Sequence, residues 1–181
     1  NCTLTAIGVS PDNGAGFAGR VTLTIDSIRL IAGGYNFKVN EVLRINKVSG
    51  ATIDAATVRI LTVNSEPGTP NGPILTFQLL TGGKFDLTLP ETNASGRIVV
   101  GVANGSEFGS SAEFAVTYKV STAIISSAGT GYSLVSVRVT PDILDTNAVA
   151  GFGFADIVGG AISGITITDQ GSRFTEFPDL I

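Results

Sequence analysis

Apolar and polar residues alternate along this chain with a period of two. Val21, Leu23 and Ile25 fall on one side of one stretch. Phe114, Val116, Tyr118 and Val120 do so in a second, and Val135, Val137 and Val139 in a third, opposite Ser136, Arg138 and Thr140. Successive side chains of an extended strand point to opposite faces, so the pattern describes half-buried antiparallel strands. No long stretch carries the i, i+3, i+4 apolar spacing of an amphipathic helix. The predicted fold is all-β, an antiparallel sandwich or repeat-built β-barrel with little or no helix; a trimeric β-prism is the next architecture. Residues 98–102, Ile-Val-Val-Gly-Val, read as a more fully buried strand.

Glycine, 23 of 181 residues, is about twice as frequent as the roughly 7% of an average protein, and it falls between the strands. Val158-Gly-Gly-Ala161 predicts a two-residue hairpin. Asn104-Gly105 ends the strand at 98–102. Residues 66–73, Glu-Pro-Gly-Thr-Pro-Asn-Gly-Pro, predict a rigid exposed loop in which Pro67, Pro70 and Pro73 form a contact surface or guard a sheet edge.

One motif recurs: an alternating strand, a second apolar strand, a small residue, two linking residues and an aromatic. Copy one spans 21–35 and continues to 45. Copy two covers 58–63, 74–80 and 82–90. Copy three covers 114–141, and copy four 152–178. Tyr35, Phe85, Tyr132 and Phe174 are the aromatic anchors, with spacings of 50, 47 and 42 (85 − 35, 132 − 85, 174 − 132). Gly82, Gly129 and Gly171 precede their aromatics by three; copy one has Ala32 there. Glycine permits a sharp corner, and the aromatic is expected to fold back over the sheet as an apolar plug. A sugar-stacking platform is the competing use of such rings, but a platform has no need to recur in every copy. The four copies suggest an N-terminal arm (1–16), a first repeat pair (17–103), a hinge (104–111) and a second pair (112–181), with one core shared by the two pairs as the alternative.

The absent residues exclude much chemistry. There is no histidine, so Ser-His-Asp and Cys-His catalysis and histidine-bound zinc are ruled out. Cys2 is the lone cysteine and forms no intrachain disulfide. No phosphate-loop motif occurs, and the glycines sit between strands, not before helices. Asp142 with Asp145, or Glu176 with Asp179, could make a carboxylate pair, but nothing separates them from solvated loop acids. Asp142, Asp145 and Asn147 likewise match no EF-hand spacing. Asn93 and Asn104 open sequons read as chance matches. No enzyme activity, metal or cofactor is predicted. The 11 Lys and Arg are scattered and the net charge is −4, which disfavours nucleic acid. No apolar run reaches the ~18 residues of a membrane-spanning helix, so no membrane insertion is expected. The chain starts at Asn1, which reads as cleavage or truncation.

Residues 159–178 end in Asp-Gln-Gly-Ser-Arg-Phe-Thr-Glu-Phe-Pro. They resemble the Gly-Ser-Gly-Tyr-Thr-x-x-Pro repeat of bacteriophage virion structural proteins, especially those of cyanophages. Residues 128–133 (Ala-Gly-Thr-Gly-Tyr-Ser) and 32–36 (Ala-Gly-Gly-Tyr-Asn) are similar. Arg173-Phe174 stands where the family often has Gly-Tyr, and such repeats also occur in bacterial surface proteins. The resemblance implies a virion structural role on the tail, fibre or capsid surface of an extracellular particle. The partners it implies are other virion proteins and further copies of the chain, with a trimer favoured. Capsid decoration, or an adhesin module that binds a host surface glycan, is the alternative.

Overall fold

A computed structural model describes residues 7–8, 14–45, 52–86, 97–100, 109–141, 146–174 and 179–180. Among them there is no helix. The strands are β1 (Ile7–Gly8), β2 (Ala15–Tyr35), β3 (Val42–Ile45), β4 (Thr52–Asp54), β5 (Ala56–Val63), β6 (Ile74–Thr81), β7 (Lys84–Asp86), β8 (Arg97–Val100), β9 (Ser110–Thr130), β10 (Val135–Thr140), β11 (Gly151–Val158), β12 (Ala161–Asp169) and β13 (Asp179–Leu180). They form three small antiparallel sheets: β1-β10-β11-β12 with β13 beside β10, β4-β7-β2-β9-β8, and β3-β5-β6. None closes on itself, so the all-β expectation holds and the barrel alternative does not.

The alternation predicts the core. Val21, Leu23, Ile25, Phe114, Val116, Tyr118, Val120, Val135, Val137 and Val139 are all buried. Removing each such side chain from water contributes about 1.5–3 kcal/mol. The 158–161 hairpin is also as expected: Val158 pairs with Ala161, and Gly159 and Gly160 take φ of 60° and 81°. Positive φ at both central residues matches the twist of the flanking strands.

The chain divides into two compact units, but not at the expected hinge. Unit 1 comprises Asn1–Leu23, Asp86–Thr88 and Tyr118–Ile181; unit 2 comprises Thr24–Phe85 and Leu89–Thr117. The boundaries fall inside β2 and β9. Ser110 and Ser111, assigned to the hinge, are strand residues, as are Ala15 and Gly16, assigned to the arm. Residues 104–108 lie outside the described residues.

Both units are built to one plan, and their equivalent contacts are offset by 95 residues. In unit 2 the ring of Phe37 lies where a methyl on Gly109 would be; in unit 1 the ring of Tyr132 does the same to Gly14 (109 − 14 and 132 − 37 both give 95). A methyl on Gly34 would strike Ser110 O and Ala112 N, and one on Gly129 would strike Ala15 O and Phe17 N. Thr22 Oγ1 meets Thr122 Oγ1 at 2.8 Å in unit 1, and Thr117 Oγ1 meets Ser27 Oγ at 2.8 Å in unit 2, the same pair with its members exchanged. Each unit is therefore closed by the first half of the other repeat's long strand. Beyond the β5–β6 and β11–β12 hairpins the offset falls to 88. Gly82 O accepts from Ile25 N, and Gln170 O from Val120 N (170 − 82). Ten residues, 64–73, join the first hairpin where Gly159 and Gly160 join the second, a surplus of eight (10 − 2); β12 is one residue longer than β6 (nine against eight), which leaves the observed fall of seven (95 − 88).

This equivalence corrects the first aromatic anchor. Gly34 and Asn36 take φ of 62° and 66°, Gly129 and Gly131 of 62° and 81°, and Gly171 and Arg173 both of 60°. Each pair of left-handed residues is followed directly by a buried ring: Phe37, Tyr132 and Phe174. The plug of copy one is Phe37, not Tyr35, which is 60% exposed. Its glycine is Gly34, so Ala32 is no exception to the three-residue spacing. Phe85 is fully buried too, but its corner is abbreviated, since Gly83 alone is left-handed (φ 68°). Gly82 has no left-handed φ but is closely packed: a methyl there would meet Thr24 Oγ1 and approach Ile25 O.

Candidate functional site

The residue displaced from the core lines a cleft. Tyr35 ends β2, one position before the left-handed Asn36, and shares a cleft with the loop that joins β5 to β6. The cleft, about 450 Å³, is lined by Tyr35, Asn36, Asn64, Glu66, Thr69, Asn71, Gly72 and two prolines, Pro70 and Pro73.

Local chemistry explains the loop. Glu66-Pro67-Gly68-Thr69 is a β-turn closed by Thr69 N donating to Glu66 O at 3.0 Å. Proline at the second position and glycine with φ 91° at the third make it type II. Asn64 N donates to Pro73 O at 2.8 Å and shuts the base. Gly72 exchanges both backbone hydrogen bonds with Phe37, each 2.9 Å, and Asn71 Nδ2 donates to Asn36 Oδ1 at 3.0 Å. The loop is thus held to the first corner by the backbone of that corner's plug. Pro67, Pro70 and Pro73 are exposed, as expected.

The Ser110 and then the Ser111 hydroxyl hydrogen-bond the Tyr35 phenol and draw its pKa below the ordinary tyrosine value of 10.0, against a smaller opposing effect of burial. Asn71 Oδ1 is enclosed and accepts no hydrogen bond. Tyr118 is the opposite case: burial pushes its pKa well above 10.0. It belongs to the core and not to any site.

A second cleft, about 660 Å³, is lined by Arg44, Asp54, Ala55, Thr57, Thr81, Gly82 and Gly83. It contains one carboxylate, so it holds no acid–base pair of the glycosidase kind. Among the described residues no three of His, Cys, Asp and Glu cluster as metal ligands. Asn147 is exposed in a turn. Cys2, Asn93, Asn104, Asp142, Asp145 and Glu176, and the side chain of Asp179, lie outside the described residues.

The outer face of β11 was not singled out from the sequence. Phe152 and Phe154, two residues apart and so on one face, are 47% and 48% exposed. The Arg138 guanidinium lies 5.9 Å from the Phe152 ring centroid. Val158 and Leu134 are exposed by 69% and 64%. The alternation over 151–154 announces two faces, but two phenylalanines between glycines suggest an inward face, and here they point outward. Comparison with protein-family models, curated proteins and solved structures returns no match.

Proposed function

We propose that this chain is a non-enzymatic structural component of a bacteriophage particle, at the tail, fibre or capsid surface, acting through contacts between its own copies and with other virion proteins. The glycine-cornered repeat motivates the virion assignment. The half-exposed Phe152–Phe154 face carries the assembly assignment, because adjacent exposed rings on a rigid sheet mark an interaction surface more often than bare solvent contact.

The partner surface has a candidate on the same chain. The positions 95 residues before Phe152 and Phe154 are Thr57 and Arg59. Arg59 pairs in register with Val42, and both it and nearby Arg44 are exposed. Guanidinium groups pack favourably over aromatic faces, by about 0.5–2 kcal/mol each, and Asp156 and Asp169 flank the phenylalanines with opposite charge. A contact from the arginine face of one copy to the phenylalanine face of the next is heterologous, and it closes into a ring when the rotation permits. A trimer is the expected ring. Light scattering at micromolar concentration should give a multiple of the monomer mass. The Phe152→Ser/Phe154→Ser variant should give a monomer with an unchanged far-ultraviolet spectrum. A monomeric wild-type chain would count against self-assembly.

A further inference from the structure

We infer that the Tyr35 cleft is a binding site for an uncharged carbohydrate, with the Tyr35 ring as the stacking face and the loop at 64–73 as the opposite wall. Tyr35 is exposed and stands outside the core. The position 95 residues later in the same corner is Thr130, also exposed, so the corner needs no ring there. The Tyr35 phenol interacts with the Ser110 and Ser111 hydroxyls at the start of β9. An exposed tyrosine ring, with two rotatable side-chain bonds, offers an apolar face at small cost in conformational entropy.

The opposite wall has no counterpart in the second repeat, whose hairpin turns with Gly159 and Gly160 alone. The extra residues that distinguish the two hairpins therefore build one side of the cleft. They bring Asn64, Thr69 and Asn71, whose amides and hydroxyl are hydrogen-bonding groups of the kind a polyhydroxylated ligand takes. No lysine or arginine lines the cleft, which disfavours phosphorylated or other anionic ligands, and Glu66 is the single charge. Asn71 gives an amide hydrogen to Asn36, which fixes its side chain in the wall. The cleft falls within the range of roughly 300–1,000 Å³ typical of small-ligand sites. A proline-rich peptide is the competing occupant of a tyrosine-lined groove; three amides (Asn36, Asn64 and Asn71) stand beside three apolar surfaces (Tyr35, Pro70 and Pro73), and a decaproline peptide in the test separates the two occupants.

The site does not depend on the assembly reading, and its test keeps the two apart. Methyl glycosides of glucose, galactose, mannose and N-acetylglucosamine are titrated into the full chain by saturation-transfer NMR, beside a decaproline peptide. At least one glycoside should saturate in the millimolar range, about what one stacked ring and a few hydrogen bonds give. Tyr35→Ala should weaken it at least about tenfold, Tyr35→Phe by less than about threefold, since the ring face is kept, and Phe152→Ser/Phe154→Ser not at all. Failure of every glycoside to saturate by about 50 mM, far above a useful affinity, would overturn the proposal. So would binding that survives Tyr35→Ala, or decaproline binding at the Tyr35 cleft without any glycoside.

Discussion

Two aromatic residues one position either side of Asn36 have opposite fates, and the backbone between them decides which. Gly34 and Asn36 are both left-handed, so the chain turns around Tyr35 and delivers Phe37 to the interior at 0% exposure. Asparagine tolerates this conformation better than other residues with a Cβ, because its short amide can hydrogen-bond locally; here the amide oxygen accepts from Asn71. Burial of Phe37 is completed by the absence of a side chain at Gly109. Phe37→Ala should then cost about 3–5 kcal/mol, the usual range for emptying a phenylalanine site. Tyr35→Ala should stay within about 0.5 kcal/mol, as exposed substitutions do. Urea denaturation of the two variants measures the difference. If Tyr35→Ala proved the more damaging, Tyr35 and not Phe37 would be the plug.

The corners work because two backbones meet there without an intervening side chain. Gly34 and Gly129 are left-handed, and a methyl on either would strike main-chain atoms of the other repeat's long strand. Backbone cannot yield as a flexible side chain can. Gly34→Ala and Gly129→Ala should each destabilise by roughly 2–4 kcal/mol, combining left-handed strain with the clash. Gly68, left-handed but with nothing near it, separates the two causes: Gly68→Ala should cost only about 1–2 kcal/mol. Equal costs at all three positions, read from thermal or urea midpoints, would refute the close-approach argument. Much of this was readable beforehand. Period-two alternation located β9 and β10 and their buried faces, and a Gly-Gly pair between apolar runs located the β11–β12 turn. The sequence favours Tyr35 as the first anchor because it directly follows two glycines, although the three-residue spacing from Gly34 points to Phe37. The Tyr35 cleft was hidden for a related reason: its wall comes from a loop whose folding onto the first corner depends on the Gly72–Phe37 backbone pair, a contact 35 residues apart (72 − 37).

The two repeats follow one another in sequence, yet neither compact unit is made from one repeat. Unit 1 takes residues up to Leu23 from the first, and unit 2 takes Leu89–Thr117 from the stretch before Tyr118. Within unit 1, Val21 and Leu23 are completely buried and come from the first half of β2; within unit 2, Ala112 and Phe114 are completely buried and come from the first half of β9. Losing either strand half removes at least two fully buried apolar side chains, at about 1.5–3 kcal/mol for the larger ones, together with a whole ladder of backbone hydrogen bonds. Against a total stability of about 5–15 kcal/mol for an ordinary domain, that leaves little margin. Cutting the chain between 104 and 105, within the stretch the sequence suggests as a hinge, should therefore leave neither fragment with a cooperative melting transition. Mixing the two fragments should restore one, since each supplies the strand half that the other lacks, and the restored midpoint should rise with fragment concentration. The intact chain should unfold in a single calorimetric transition, because each unit contains part of both repeats. A 105–181 fragment that melted cooperatively alone would show that its own residues suffice to enclose Tyr118 and Tyr132, and that the exchange of strand halves is incidental to the fold.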